Sequence, residues 1–408
     1  MADTLSPKRE LTLLLTLAGI QFTNILDFMI MMPLGPQFTK LFGISDAQFG
    51  LLVSTYMLAG GISGLVATTY VDRFGRKRLL LACYAVFALA SLGCALAPGY
   101  GVLMAARLVA GTIGGVIGAL CHTIVAELIP FERRGRAMAI VMSSFSLATV
   151  AGVPTGLLLA EHWGWHAPFF AVAGLATAFW IFAALTMPGL TAHLDWKDRP
   201  TVWRGIGQVL AEPNHLKALL FSSMLMAAGF VVIPYIALYV RSNTQIRSDQ
   251  LAYLYLFGGL LSIVSARLFG VLTDRRGKLP MFRLMSVLAL LPMITITLLR
   301  DVPAWVVIAV GGLMFMCMSG RSIPGSAILT SAADPRWRGT FMTLNSAVQS
   351  ATMGLAALLT AQLISRDAQG YIQGFWMAAM FGTLFSVVAM VVGGRLLLHG
   401  AKPHAGAS

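Results

Sequence analysis

Asp27 is the one acidic residue that lies deep within an apolar segment of this chain. An ionisable side chain in hydrocarbon is costly and marks a functional position by default. Its segment starts near residue 11, which puts Asp27 ~24 Å from that end and ~12 Å from the other at a helical rise of ~1.5 Å per residue. Arg107 lies ~9 Å into a segment running the opposite way, so carboxylate and guanidinium fall at similar depth. Desolvation favours a neutral carboxyl, and a neighbouring arginine favours the carboxylate. Such a pair suits a proton carrier whose partner moves, and it equally suits a static ion pair. Gln21, Asn24 and Asp27 recur every three residues and share a helix face, which Phe28 and Met31 extend. Asn345, Gln349 and Thr352 form a second such face. These stripes read as cavity walls or as amides bonded between helices. Arg267 and Arg321 lie ~26 and ~29 Å into their segments. Either they snorkel to the interface or they draw an anion into a cavity. Arg321 is the stronger cavity candidate, because Gly320 and Pro324 loosen its helix. His122 reads as packed, with titration as the alternative.

The elements that hold these residues are membrane spans. Of 408 residues, 57% are hydrophobic and 11% charged, where a soluble domain carries about 25% charged residues. Apolar runs of roughly 18 to 28 residues separate the charges, each long enough to cross a ~30 Å hydrocarbon core as a helix. Twelve spans are expected, at 11–35, 47–71, 79–97, 101–129, 137–160, 166–187, 216–240, 250–273, 280–299, 302–332, 340–364 and 371–395. The first apolar run is too long for a signal-peptide core, so span 1 is expected to remain in the mature chain. Of the 29 Lys and Arg residues, 21 fall on the side of the termini, 5 on the other and 3 within spans. The positive-inside rule then places both termini in the cytoplasm, in a bacterial-type inner membrane. The net charge of +13 marks topology and contact with anionic lipid rather than nucleic acid. Cys83, Cys94, Cys121 and Cys317 all fall within spans and show neither a disulfide framework nor metal-ligand spacing. No metal site, cofactor or nucleotide-binding loop of the GxxxxGK[ST] type is expected. No nucleophile–base arrangement points to an enzyme. Monomer is the default state.

The polar stretch 188–215 divides the chain into six-span units at 1–187 and 216–408. These units echo one another. Asp72-Arg73 follows span 2 and Asp274-Arg275 follows span 8, 202 residues on; Arg134-Gly135 and Arg338-Gly339 repeat at an offset of 204. A duplicated unit of this kind places a binding site between the repeats near mid-membrane.

The loop Asp72-Arg73-Phe74-Gly75-Arg76-Lys77 resembles the GxxxDRxGRR motif of the major facilitator superfamily, with Thr68 at the first glycine. The second copy keeps that glycine as Gly270 and continues through Asp274, Arg275 and Gly277. Leu103, Arg107, Gly111, Gly114 and Gly115 resemble that superfamily's LxxxRxxxGxGG motif, with Ala110 where Gln is usual. Gly152-Val153-Pro154-Thr155-Gly156 is similar to the motif of the twelve-span drug:H⁺ antiporter branch, as is Pro33-Leu34-Gly35-Pro36 to the end of its first span. The resemblance implies an all-α membrane fold of twelve helices in two pseudo-symmetric six-helix bundles. It implies that Asp72, Arg73, Gly75 and Arg76, with Asp274, Arg275 and Gly277, gate the motion of one half on the other. The alternative for the basic residues is topology alone. Gly152, Pro154 and Gly156 would bend a helix tied to export, or only kink it. Gly111, Gly114, Gly115 and Gly118 allow close helix approach. The expected function is secondary active transport by alternating access: proton-coupled efflux of a small, multidrug-type organic substrate. A proton-coupled importer or uniporter of an organic anion is the first alternative, and a receptor that no longer cycles is the second.

Overall fold

The computed structural model describes residues 6–129, 131–189, 202–334 and 336–398. Among them, eleven helices are long and apolar enough to cross a membrane. A further helix, α15 (Arg338–Leu363), has the length, but Asn345, Gln349 and its hydroxyl residues dilute its apolar character. Together they make the expected twelve. The first half runs α1 (Pro7–Ile30), α2 (Gly35–Phe42), α3 (Asp46–Tyr70), α4 (Arg76–Ala95), α5 (Tyr100–Leu128), α6 (Phe131–Leu147), α7 (Val153–Trp163) and α8 (His166–Thr186). The second runs α10 (Pro213–Phe230), α11 (Ile236–Asn243), α12 (Ser248–Arg276), α13 (Lys278–Leu298), α14 (Ala304–Ala332), α15 and α16 (Phe375–Gly393). Between them α9 (Val202–Ala211) packs against α10 and α15.

Three expected spans are broken, each at proline. Span 1 ends as α1 at Ile30, and α2 restarts with Pro36 in its first turn. Span 7 divides at a 3₁₀ turn, Ile233–Tyr235, around Pro234. Span 5 contains a π-helical turn, Ala148–Gly152, just ahead of Pro154. Proline has no N–H to give the preceding turn and its ring crowds the carbonyl four residues back. A proline is tolerated at the start of a helix, where that donor has no partner anyway; in span 5 the wider turn accommodates it. The short segments α2 and α11 pack on each other at the face opposite the termini, so the two halves break in matching places.

Close packing rests on small residues. A Cβ on Gly60 would meet the Gly111 carbonyl oxygen at 3.2 Å, and one on Gly64 would meet that of Gly115 at 3.3 Å. Ser63 Oγ donates to the Thr112 carbonyl at 2.6 Å. Backbone-to-backbone approach of α3 and α5 therefore requires these glycines. Gly118 departs from the expectation, since nothing lies within 4 Å of its Cβ position. It is one turn beyond the end of the contact. Across the halves, α3 packs along α15, and α7 with its preceding π turn packs along α12, where Gly259 admits Val150.

A two-stranded antiparallel hairpin, β1 (Ser365–Arg366) and β2 (Ile372–Gln373), caps the face opposite the termini. Asn243 clasps it from α11, donating to the Ile372 carbonyl and accepting from its amide, both at 2.9 Å. From β1, Arg366 reaches the first half. Its Nη2 lies 2.9 Å and its Nε 3.0 Å from the two Asp46 carboxylate oxygens at the start of α3. This ion pair joins the halves at that face.

Candidate functional site

Asp27 and Arg107 are both fully buried and form an ion pair of 2.7 Å between Oδ2 and Nη1. The same nitrogen donates to the Asp27 carbonyl at 3.0 Å, and Ser91 Oγ of α4 donates to Oδ1 at 3.1 Å. Three helices thus converge on one carboxylate. The Arg107 guanidinium stands over the Tyr56 ring, 4.2 Å from its centroid, a cation–π placement that stabilises a desolvated cation. Tyr56 is fixed in turn by its hydroxyl, which donates to Asn24 Oδ1 at 2.9 Å, while Asn24 Nδ2 donates to the Gly114 carbonyl at 3.1 Å. A side chain on Gly114 would displace that amide. The glycine-rich face of α5 therefore positions the arginine and its aromatic neighbour together.

The Arg107 Nε and Nη2 atoms make no hydrogen bond. The pair is held through Nη1 alone, an arrangement in which a shift of α5 against α1 would separate the charges. Phe28 stacks on Tyr56 with centroids 5.6 Å apart, and on Phe230 of α10 at 6.5 Å. An aromatic bridge thus runs from the ion pair across the seam between the halves.

The other expected wall residues divide. Gln21 and Asn345 are buried with Oε1 and Oδ1 unbonded, and unmet acceptors of this kind call for a donor from cargo or water. Gln349 instead donates to Ser222 Oγ at 2.8 Å, and Asn24 is taken up by Tyr56 and Gly114. Met31 caps α1 and is fully buried in the core. Arg321 is 3% exposed and bonded only to neutral groups. Arg267 is exposed on the flank of α12 that carries Val264, Leu268 and Val271.

Of the gating candidates, Gly75 caps the start of α4 and Arg73 is exposed. The side chains of Asp72 and Arg134 lie outside those described. Arg76 is buried and grips Glu127 by Nε at 3.1 Å and Nη2 at 2.6 Å, within the first half. Next to it, Lys77 Nζ donates to the carbonyls of Ala184 and Met187, at 2.9 and 2.6 Å, at the end of α8. A cation there answers both the unpaired carbonyls and the helix dipole. Asp274 and Arg275 are exposed and, among the described residues, make no side-chain hydrogen bond or ion pair, and Gly277 forms the turn into α13 with φ of 91°. On the expected export helix, Gly152 and Gly156 admit Leu26 and Ile30 of α1.

Comparison with known proteins settles the lineage. The family model of the Major Facilitator Superfamily matches residues 17–357. The chain belongs to this superfamily. The uncharacterized MFS-type transporter YtbD of Bacillus subtilis (strain 168) is 24% identical over 97% of this chain and 96% of its own length. A chloramphenicol efflux pump of Mycobacterium tuberculosis (strain CDC 1551 / Oshkosh) is 27% identical over 57% of this chain and 55% of the pump. The crystal structure of a bacterial homolog of the human lysosomal transporter Spinster superposes with a TM-score of 0.76 at 15% identity, covering 96% of this chain and 98% of that one. The D-xylose–proton symporter gives 0.75 at 15% identity over 94% and 97%. This major facilitator chain is therefore a multi-pass membrane transporter rather than an enzyme by family.

Tyr56, Ser91 and Phe230 are the site residues that sequence reasoning missed. Tyr56 carried a signal, as a tyrosine near the middle of an apolar span whose hydroxyl needs a partner. Ser91 and Phe230 carried none, because serine and phenylalanine are ordinary in lipid-embedded helices.

Proposed function

We propose that this protein is a proton-coupled exporter of small organic molecules, with Asp27 as the proton carrier and Arg107 as its moving counter-charge. The observation that carries the reading is the fully buried Asp27–Arg107 pair, held through Nη1 alone and joined by Tyr56, Phe28 and Phe230 to the opposite half. While the pair is closed, the carboxylate is neutralised and holds no proton. When rocking of the halves draws Arg107 away, a bare carboxylate in low dielectric takes one up. Reclosure of the pair as cargo arrives expels it. Proton and cargo thus exchange through the position of one side chain, and a proton gradient can drive the cycle. Efflux is favoured over uptake by the packing of the Pro154 helix on the second half and by the likeness to relatives such as the chloramphenicol efflux pump.

Chloramphenicol is the first cargo to try. Adding it to detergent-purified protein in weak buffer should release protons from the wild type and none from Asp27→Asn. Chloramphenicol binding to both proteins with no proton release from either would remove Asp27 from the coupling role.

A further inference from the structure

Arg321 is a second buried cation, and among the described residues no carboxylate neutralises it. It is 3% exposed, inside the second half between α10, α14 and α16. Its Nη1 donates to Ser386 Oγ at 3.1 Å and its Nη2 to the Leu225 carbonyl at 3.2 Å. Both acceptors are neutral, and among the described residues it has no ion pair with any carboxylate. Its Nε has no hydrogen bond. A buried guanidinium without a counter-charge is strongly disfavoured; Arg107 of the first half, by contrast, has Asp27.

The unbonded Nε, beside an Nη2 that has one of its two protons on the Leu225 carbonyl and a second to give, indicates what is missing. Arg107 uses Nη1, but in two other arginines of this chain the Nε–Nη2 edge holds a carboxylate. Arg76 takes Glu127 in that way, and Arg366 takes Asp46. This fork matches the spacing of two carboxylate oxygens. Beside Nη2 of Arg321 stands Gly229, whose missing Cβ would lie 3.4 Å from that nitrogen. Pro324, inside α14, removes the helical hydrogen bond to the Gly320 carbonyl. The turn bearing Arg321 can therefore flex to admit a ligand. Phe230, the residue after Gly229, is the far end of the aromatic bridge from the Asp27–Arg107 pair.

We propose that Arg321 is a carboxylate-binding site, and that the molecules this transporter accepts include small organic acids whose acidic group Arg321 holds while an apolar or aromatic body lies toward Phe230. The proposal rests on the transport reading above and narrows its substrate class. A free small carboxylate filling the same edge is the other source of this chemistry.

The test is thermal melting of the purified protein with sodium benzoate, sodium formate or neutral benzamide at constant ionic strength. Benzoate should raise the wild-type melting midpoint saturably, and benzamide should not. The shift should vanish in Arg321→Gln and need about tenfold more benzoate in Arg321→Lys, which keeps the charge and loses the fork. Arg321→Lys serves alone if Arg321→Gln does not fold. Benzoate acting at lower concentration than formate identifies an organic acid as the ligand, and equal action identifies a free small carboxylate. A benzoate shift that survives in Arg321→Gln, an equal shift with benzamide, or no shift in the wild type would overturn the proposal. Asp27→Asn should keep the benzoate shift. If wild type shows Asp27-dependent proton release but no benzoate shift, the carboxylate site fails while the coupling reading stands.

Discussion

Removing both charges of the Asp27–Arg107 pair should cost less than the sum of removing each alone. Two unit charges about 4 Å apart attract by ~4 kcal/mol at an effective dielectric near 20. Breaking a buried pair by deleting one partner costs about 3–5 kcal/mol, because the survivor stays desolvated. In Arg107→Met the Asp27 carboxylate keeps only the 3.1 Å hydrogen bond from Ser91. In Asp27→Asn the guanidinium keeps the Asp27 carbonyl and the Tyr56 face, so that single change should cost less, ~2 kcal/mol. The double variant leaves no unpaired charge. Its loss of stability should fall short of the sum of the singles by at least ~2 kcal/mol, a coupling energy typical of directly interacting residues. Urea or thermal unfolding of the four purified proteins in one detergent measures this cycle. Additivity within about 0.5 kcal/mol would refute the reasoning, since the two charges would then not stabilise one another.

Gly115→Ala should lower stability by about 1–3 kcal/mol, because its methyl group would overlap the Gly60 carbonyl and push α3 off α5. Gly118→Ala should be neutral or slightly stabilising in the same melting assay, as its Cβ meets nothing. Arg366→Gln should loosen the contact between the halves at the hairpin face. With the Arg366 side chain 38% exposed and Asp46 7%, solvent screening limits the pair to ~1 kcal/mol. Amide hydrogen exchange at the start of α3 and in the hairpin should therefore quicken by about fivefold, and unchanged exchange would show that this pair does not hold the halves.

The spans were legible because hydrocarbon allows a chain few options, and the length and sidedness of charge then follow. Asp27 and Arg107 were legible as a pair because each is an isolated charge in an apolar helix, and counting residues gave their depths. What the sequence concealed was direction around each helix. Met31, at the end of α1, is buried in the core, and Asn24, on the stripe, is bonded to Tyr56 and Gly114. Pairs formed across the fold were likewise out of reach. Arg366 and Asp46 lie 320 residues apart, and each alone looks like a surface charge. The prolines signalled bends but not their form, since the π turn at Ala148–Gly152 depends on how α6 and α7 pack on α1 and α12.

The central claim is that Asp27 carries the proton. Wild type and Asp27→Asn reconstituted into proteoliposomes holding a pH-sensitive dye, with chloramphenicol and benzoate as trial cargoes, test it most directly. For a cargo that the wild type moves, the expected result is a cargo-dependent proton flux in wild type. In Asp27→Asn that flux should be absent, while cargo exchange without a gradient persists. A cargo-driven proton flux of wild-type size in Asp27→Asn would contradict the account.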